Sequence, residues 1–127
     1  MTFVNPHKQR RGWSRLWHAT GYSLQGLMAA FNEAAFRLEL LLALILAPLA
    51  FWLGDNWVEV AVLLGSLVLL LIVELINSAI ECVVDRVSPD WHELSKKAKD
   101  MGSAATLLSL LLAAGIWLSA AYRHWNY

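Results

Sequence analysis

An almost unbroken apolar run over 58–84 carries acids where a membrane-length segment should have none. Glu74, Asn77, Glu81 and Asp85 follow one another at spacings of three, four and four, which puts them along one side of a helix. Charged side chains at lipid depth are costly, so such residues need a partner, a cation or a chemical task. At ~1.5 Å per residue the segment is about 40 Å long, against a hydrocarbon core of ~30 Å. If the core begins at Val58 it ends near Asn77, with Glu74 about one turn inside that boundary and Glu81 about one turn outside. The acidic face therefore straddles the lipid–water interface.

Two further stretches have crossing length. The first, 34–53, carries Arg37 and Glu39 in its opening turns and Pro48 further on, where a kink is expected. The last, 101–122, is followed by interfacial aromatics. Ahead of them, 12–32 repeats Trp13, Leu16, Trp17, Leu24, Leu27, Met28 and Phe31 at helical spacing, the pattern of a helix lying in the interface. With 58% hydrophobic and 16% charged residues, the chain is too apolar for a soluble domain. The expected fold is an all-α membrane protein: three transmembrane helices plus an N-terminal amphipathic interfacial helix, in one domain over 1–127. A chain this small encloses a polar site best with help from other subunits. The single Cys82 excludes an internal disulfide and reads as a small buried hydrophobe. No secretory signal pattern is expected at the basic N-terminus.

Orientation follows from the loops. Lys8, Arg10, Arg11 and Arg15 precede the first span, and Arg86, Lys96, Lys97 and Lys99 lie between the second and third. The 54–57 turn has no basic residue, and the C-terminus has only Arg123. The positive-inside rule puts the N-terminus and the 85–100 loop in the cytosol and the C-terminus outside. Glu33, Glu74 and Glu81 then gather at the cytosolic face.

The acidic set of Glu33, Glu39, Glu74, Glu81, Asp85, Asp90, Glu93 and Asp100 offers hard oxygen ligands. These suit Mg²⁺, which accepts a few carboxylates and completes its shell with water and phosphate. The four His and lone Cys lack zinc spacing. There is no Gly-rich phosphate loop and no protein-kinase signature. Lys96, Lys97 and Lys99, read alone, are a solvated charge run. Phosphoryl transfer needs mainly positioning and charge neutralisation, so metal-bound carboxylates with a base suffice.

Glu33-Ala34-Ala35-Phe36-Arg37, the run Val73-Glu74-Leu75-Ile76-Asn77-Ser78-Ala79-Ile80-Glu81, Val83-Val84-Asp85-Arg86 and Lys99-Asp100-Met101-Gly102-Ser103-Ala104-Ala105 closely resemble the prokaryotic diacylglycerol kinase family. The resemblance covers nearly everything beyond residue 12. It implies a small inner-membrane kinase of the Gram-negative type, working as a homotrimer with active sites shared between subunits. Such an enzyme phosphorylates diacylglycerol with MgATP, and no nucleic-acid partner is expected. By the same resemblance, Glu33 and Glu81 hold the nucleotide's Mg²⁺ and Glu74 is the general base toward the lipid hydroxyl. Arg15, Tyr22, Asp90, Trp91, His92, Lys99 and Asp100 join Glu33 and Glu81 around ATP. Glu39, Ser103 and Trp117 line the lipid path with Glu74. Asn77 and Asp85 support the site, Asn77 equally readable as an interhelical hydrogen bonder.

Gly26 to Glu33 is one residue shorter than the family pattern, around Ala30-Phe31-Asn32. One residue turns a helix by about 100°. A local distortion or a different seat for the surface helix is therefore expected.

Within the family, an undecaprenol kinase is the competing activity, but Trp91-His92-Glu93-Leu94-Ser95 and Met101-Gly102-Ser103 resemble the diacylglycerol kinases. An ion conduit is the non-enzymatic alternative. It would need a polar stripe on every span, and the third has no ionisable residue from Met101 until its end.

Overall fold

The computed structural model describes residues 11–127. Lys8 and Arg10, used above for orientation, lie outside the described residues. Four helices follow one another: α1 (Trp13–Ala30), α2 (Ala34–Leu53), α3 (Trp57–Val87) and α4 (Glu93–Asn126). The last three are long and apolar enough to cross a membrane. The protein is an all-α membrane protein with an additional N-terminal helix.

Local chemistry sets each boundary. Asn56 caps α3, its side chain accepting from the amides of Val58 and Glu59 at 3.0 and 3.1 Å. Glu59 reaches back to accept from the Asp55 amide at 2.8 Å, as a carboxylate in a first turn does. Ser88 ends α3, its hydroxyl accepting from the Asp90 amide at 3.0 Å, and Pro89 follows where no helix continues. His92 caps α4 through Nδ1, which accepts from the Leu94 amide at 3.1 Å. α2 runs on through Pro48 to Leu53. At Gly54 a side chain would strike Val60 and the Ala50 carbonyl, so the tight α2–α3 turn requires glycine there.

Two helices outrun the apolar stretches read from the sequence. The second span, expected over 58–84, continues to Val87, and the third, expected over 101–122, starts at Glu93. The polar turns 93–100 are helical because the His92 cap and backbone bonding carry the helix beyond the lipid-compatible segment.

α3 and α4 form the main seam, and α2 packs on α3. On α3 the buried positions are Leu63, Ser66, Leu67, Leu70 and Glu74. On α4 they are Gly102, Ser109 and Ala113, with Thr106 half-buried between them. These α4 residues are small and spaced four, three and four, which lets the two backbones approach closely. Toward one end, Ala50, Leu53 and Leu63 make an apolar cluster with Ile116 and Trp117 against it. Arg123 closes that end, pairing with both oxygens of Glu59 and standing 3.4 Å from Asp55.

α1 buries only Ala30, and Trp13 is 86% exposed. After it, Phe31 caps the helix, and the amides of Asn32 and Glu33 bond back three residues to Ala29 and Ala30 at 3.1 and 2.9 Å. α1 and α2 are therefore separate helices joined by a tight turn around Ala30-Phe31-Asn32. Cys82 is exposed, contrary to the expectation of a buried hydrophobe, because it lies on a part of α3 that, among the described residues, no other helix covers.

Candidate functional site

Glu74 stands where the spacing of Leu63, Leu67 and Leu70 calls for one more leucine. It is 4% exposed, turned into the bundle and away from lipid. The Thr106 hydroxyl donates to Glu74 Oε2 at 3.3 Å, across from α4. From α2, Glu39 comes near enough for the two carboxylates to repel one another, and its Oε2 is buried without a hydrogen-bond partner among the described residues. Three helices thus converge on one acid. A buried carboxylate must be hydrogen-bonded, neutralised or used.

One turn further along α3, Asn77 packs against Gly102. A side chain at 102 would meet the Asn77 amide oxygen, so either that amide turns aside or α3 and α4 part. The Asn77 Oδ1 atom is buried and has no hydrogen-bond partner among the described residues. The interhelical hydrogen bond weighed for Asn77 is not formed by that oxygen within this chain.

Beyond Asn77 the α3 face emerges from the bundle, and Glu81 and Asp85 are exposed. Lys99 joins them: its Nζ lies 2.6 Å from Asp85 Oδ1, and Glu81 acts on it electrostatically. Lys99 sits in the polar turns ahead of the apolar part of α4. The hydrogen bond it donates to the Asp85 carboxylate holds its ammonium above the ordinary lysine range. Asp85, Asp90, Trp91, His92, Lys99 and Asp100 line one open recess under the α3–α4 connection. Six of the residues singled out in the sequence are therefore brought together by one turn. Lys96 spans to Asp100 at 2.5 Å on the same helix.

Other residues are placed apart from that recess. Glu33 is exposed at the N-cap of α2, its carboxylate making no capping bond. Arg15 and Tyr22 are exposed on α1. Ser103 is exposed on α4, a turn before Thr106. Trp117 is tied by its indole Nε1 to Ser66 Oγ at 3.2 Å. Ser66 is eight residues before Glu74, about 12 Å along α3, so Trp117 belongs to a deeper level than the acid.

Hard oxygen donors fit Mg²⁺. Among the described residues no group of three or more potential ligands is drawn together. A nucleotide-borne Mg²⁺ asks for only one or two protein carboxylates, so the exposed Glu33 and Glu81 suit that ion better than a permanent all-protein cage would. The sequence reading missed Thr106. A threonine four residues after a glycine on α4 is a visible signal, but only the rotation of α4 against α3 shows which side chain it meets.

The family described as prokaryotic diacylglycerol kinase matches residues 21–121. The diacylglycerol kinase of Pseudomonas aeruginosa is 51% identical over 114 residues, 89% of this chain and 93% of that protein. That of Haemophilus influenzae is 48% identical over 107 residues, 84% and 91% of the two chains. That of Escherichia coli K12 is 45% identical over 116 residues, 91% and 95%. At such identity over nearly whole chains, this chain belongs to the prokaryotic diacylglycerol kinase family.

Proposed function

We propose that this protein is a diacylglycerol kinase that transfers the γ-phosphoryl group of MgATP to the free hydroxyl of diacylglycerol, giving phosphatidate. The observation that carries this reading is Glu74, an acid 4% exposed, met by a hydroxyl from α4 and facing Glu39 on α2. Glu74 takes the proton of the lipid hydroxyl as it attacks. Its depth, about one turn inside the hydrocarbon boundary, matches where a glycerol hydroxyl rides.

Glu33 and Glu81 hold Mg²⁺ with the nucleotide, the ion neutralising phosphate charge when bound. Lys99 faces the phosphates, with Asp90, Trp91, His92 and Asp100 around the nucleotide and Arg15 and Tyr22 reaching in from α1. The shared recess beneath the α3–α4 connection supports the grouping of Lys99 with Asp90, Trp91, His92 and Asp100. Glu39, Ser103 and Trp117 accompany the lipid, and Asn77 and Asp85 support the acids. The chain forms one kinase domain over 1–127 in the bacterial inner membrane, with its N-terminus cytosolic and its C-terminus periplasmic. It works as a homotrimer, whose neighbouring subunits complete sites that one chain leaves open.

The test is phosphorylation of diacylglycerol and undecaprenol side by side, in detergent, by the purified protein with MgATP. Diacylglycerol should be the better substrate. A strong preference for the polyprenol would replace this reading with an undecaprenol kinase, and no ATP-dependent product from either would remove the kinase reading.

A further inference from the structure

The Thr106 hydroxyl has two acceptors within reach. It stands 3.3 Å from Glu74 Oε2 and 3.4 Å from the Gly102 carbonyl of its own helix. A threonine inside a helix ordinarily returns its proton to the carbonyl four residues back. An ionised carboxylate is the stronger acceptor, since charge-assisted hydrogen bonds are roughly twice as strong as neutral ones. The contact to Glu74 is the shorter of the two, and it crosses from α4 to α3. Gly102 makes that contact possible, because the close approach it allows at Asn77 brings Thr106 within reach of α3.

We propose that Thr106 is a positioning residue for Glu74. Donating to Oε2, it fixes the side chain and leaves the other oxygen to take the proton of the acceptor hydroxyl. Glu39 on α2 is the acid that faces Glu74, and the two carboxylates repel one another. From α4 the neutral Thr106 donor meets Glu74, and on α3 itself the nearest polar neighbour along the buried face is Asn77. This role rests on the reading of Glu74 as the base.

The experiment compares full-length wild type with Thr106→Val, Thr106→Ser and Glu74→Gln in a detergent-micelle lipid kinase assay. Valine keeps the shape and removes the donor. Thr106→Val should lower kcat about tenfold with the KM for MgATP within about twofold of wild type. Thr106→Ser should restore most of the rate. A Thr106→Val enzyme with wild-type kcat overturns the proposal, as does a Thr106→Ser enzyme as impaired as the valine variant. Glu74→Gln separates the two levels. If it is inactive while Thr106→Val is wild type, only the role of Thr106 fails, whereas a fully active Glu74→Gln enzyme removes the base itself.

Discussion

Lys99 Nζ lies 2.6 Å from Asp85 Oδ1, an ion pair that spans 14 residues and ties the start of α4 to the end of α3. The pair leaves the ammonium beside Glu81 and at the rim of the recess under the connecting turn. It is a surface pair, and such pairs contribute little to stability. Its value lies in where it puts a positive charge.

Replacing Lys99 with methionine should therefore leave the fold intact and weaken the handling of nucleotide phosphate. A fall in kcat/KM for MgATP of about a hundredfold or more is expected, with circular dichroism and melting temperature close to wild type. The pH behaviour has a definite sign. Asp85 raises the Lys99 pKa from 10.5, so the pair is fully formed below that value and is lost only as pH climbs through the raised one. Its contribution to stability should not change between pH 6 and about 9, which melting curves across that range would check.

Glu74 fills a buried position of the α3 stripe with a carboxylate that the packing does not need. Glutamine there keeps size and hydrogen bonding and removes the basic oxygen. Loss of a general base typically costs about 10²- to 10⁴-fold, so Glu74→Gln should lose at least a hundredfold in kcat. Nucleotide binding, followed by titration with a fluorescent ATP analogue, should be unchanged. Substantial retained turnover would move the base elsewhere.

Glu33 and Glu81 are exposed and hard-donor, and each sits where no packing role claims it. Glu33→Gln and Glu81→Gln should each raise the KM for MgATP by about tenfold or more and shift the Mg²⁺ requirement to higher concentration. Chelation with EDTA should abolish lipid phosphorylation by the wild type, and added Mg²⁺ should return it. A variant with an unchanged Mg²⁺ titration would take its carboxylate out of the metal site.

The sequence made the spans and the acidic face plain because both are written in local pattern. Eighteen of the twenty residues over 34–53 are uncharged, and carboxylates at helical spacing need no tertiary knowledge to be noticed. The ends of α3 and α4 were less visible, since hydropathy marks where lipid touches a helix and backbone bonding carries it further, to Ser88 and from His92. Least visible were contacts set by rotation between helices. Nothing in the order of residues says that Thr106 meets Glu74, that Trp117 is held by Ser66, or that Arg123 returns across 64 residues to Glu59. The exposure of Cys82 has the same origin, because one chain alone does not say which α3 face is covered.

The Arg123–Glu59 pair offers a test of the far end of the bundle without touching the site. Arg123 grips both oxygens of Glu59 and approaches Asp55, pinning the C-terminal turns of α4 to the start of α3. Arg123→Gln should lower the melting temperature by roughly 3 °C while leaving the KM for MgATP unaltered. Adding Glu59→Gln should recover part of the loss, since the second change removes the carboxylate left without its partner.

Gly102 gives the sharpest packing prediction. A methyl group at that position has no room, because the Asn77 amide oxygen already occupies the space its Cβ would take. Gly102→Ala should therefore destabilise the protein by about 1–3 kcal/mol, although alanine favours helix by about 1 kcal/mol over glycine. Separation of α3 from α4 would also carry Thr106 away from Glu74, so kcat should fall together with the melting temperature. Truncating the obstacle provides the control. In an Asn77→Ala background the added methyl group meets no amide, and the thermal penalty of Gly102→Ala should largely vanish. A penalty undiminished in that background would mean that α4 is held off by some contact other than Asn77.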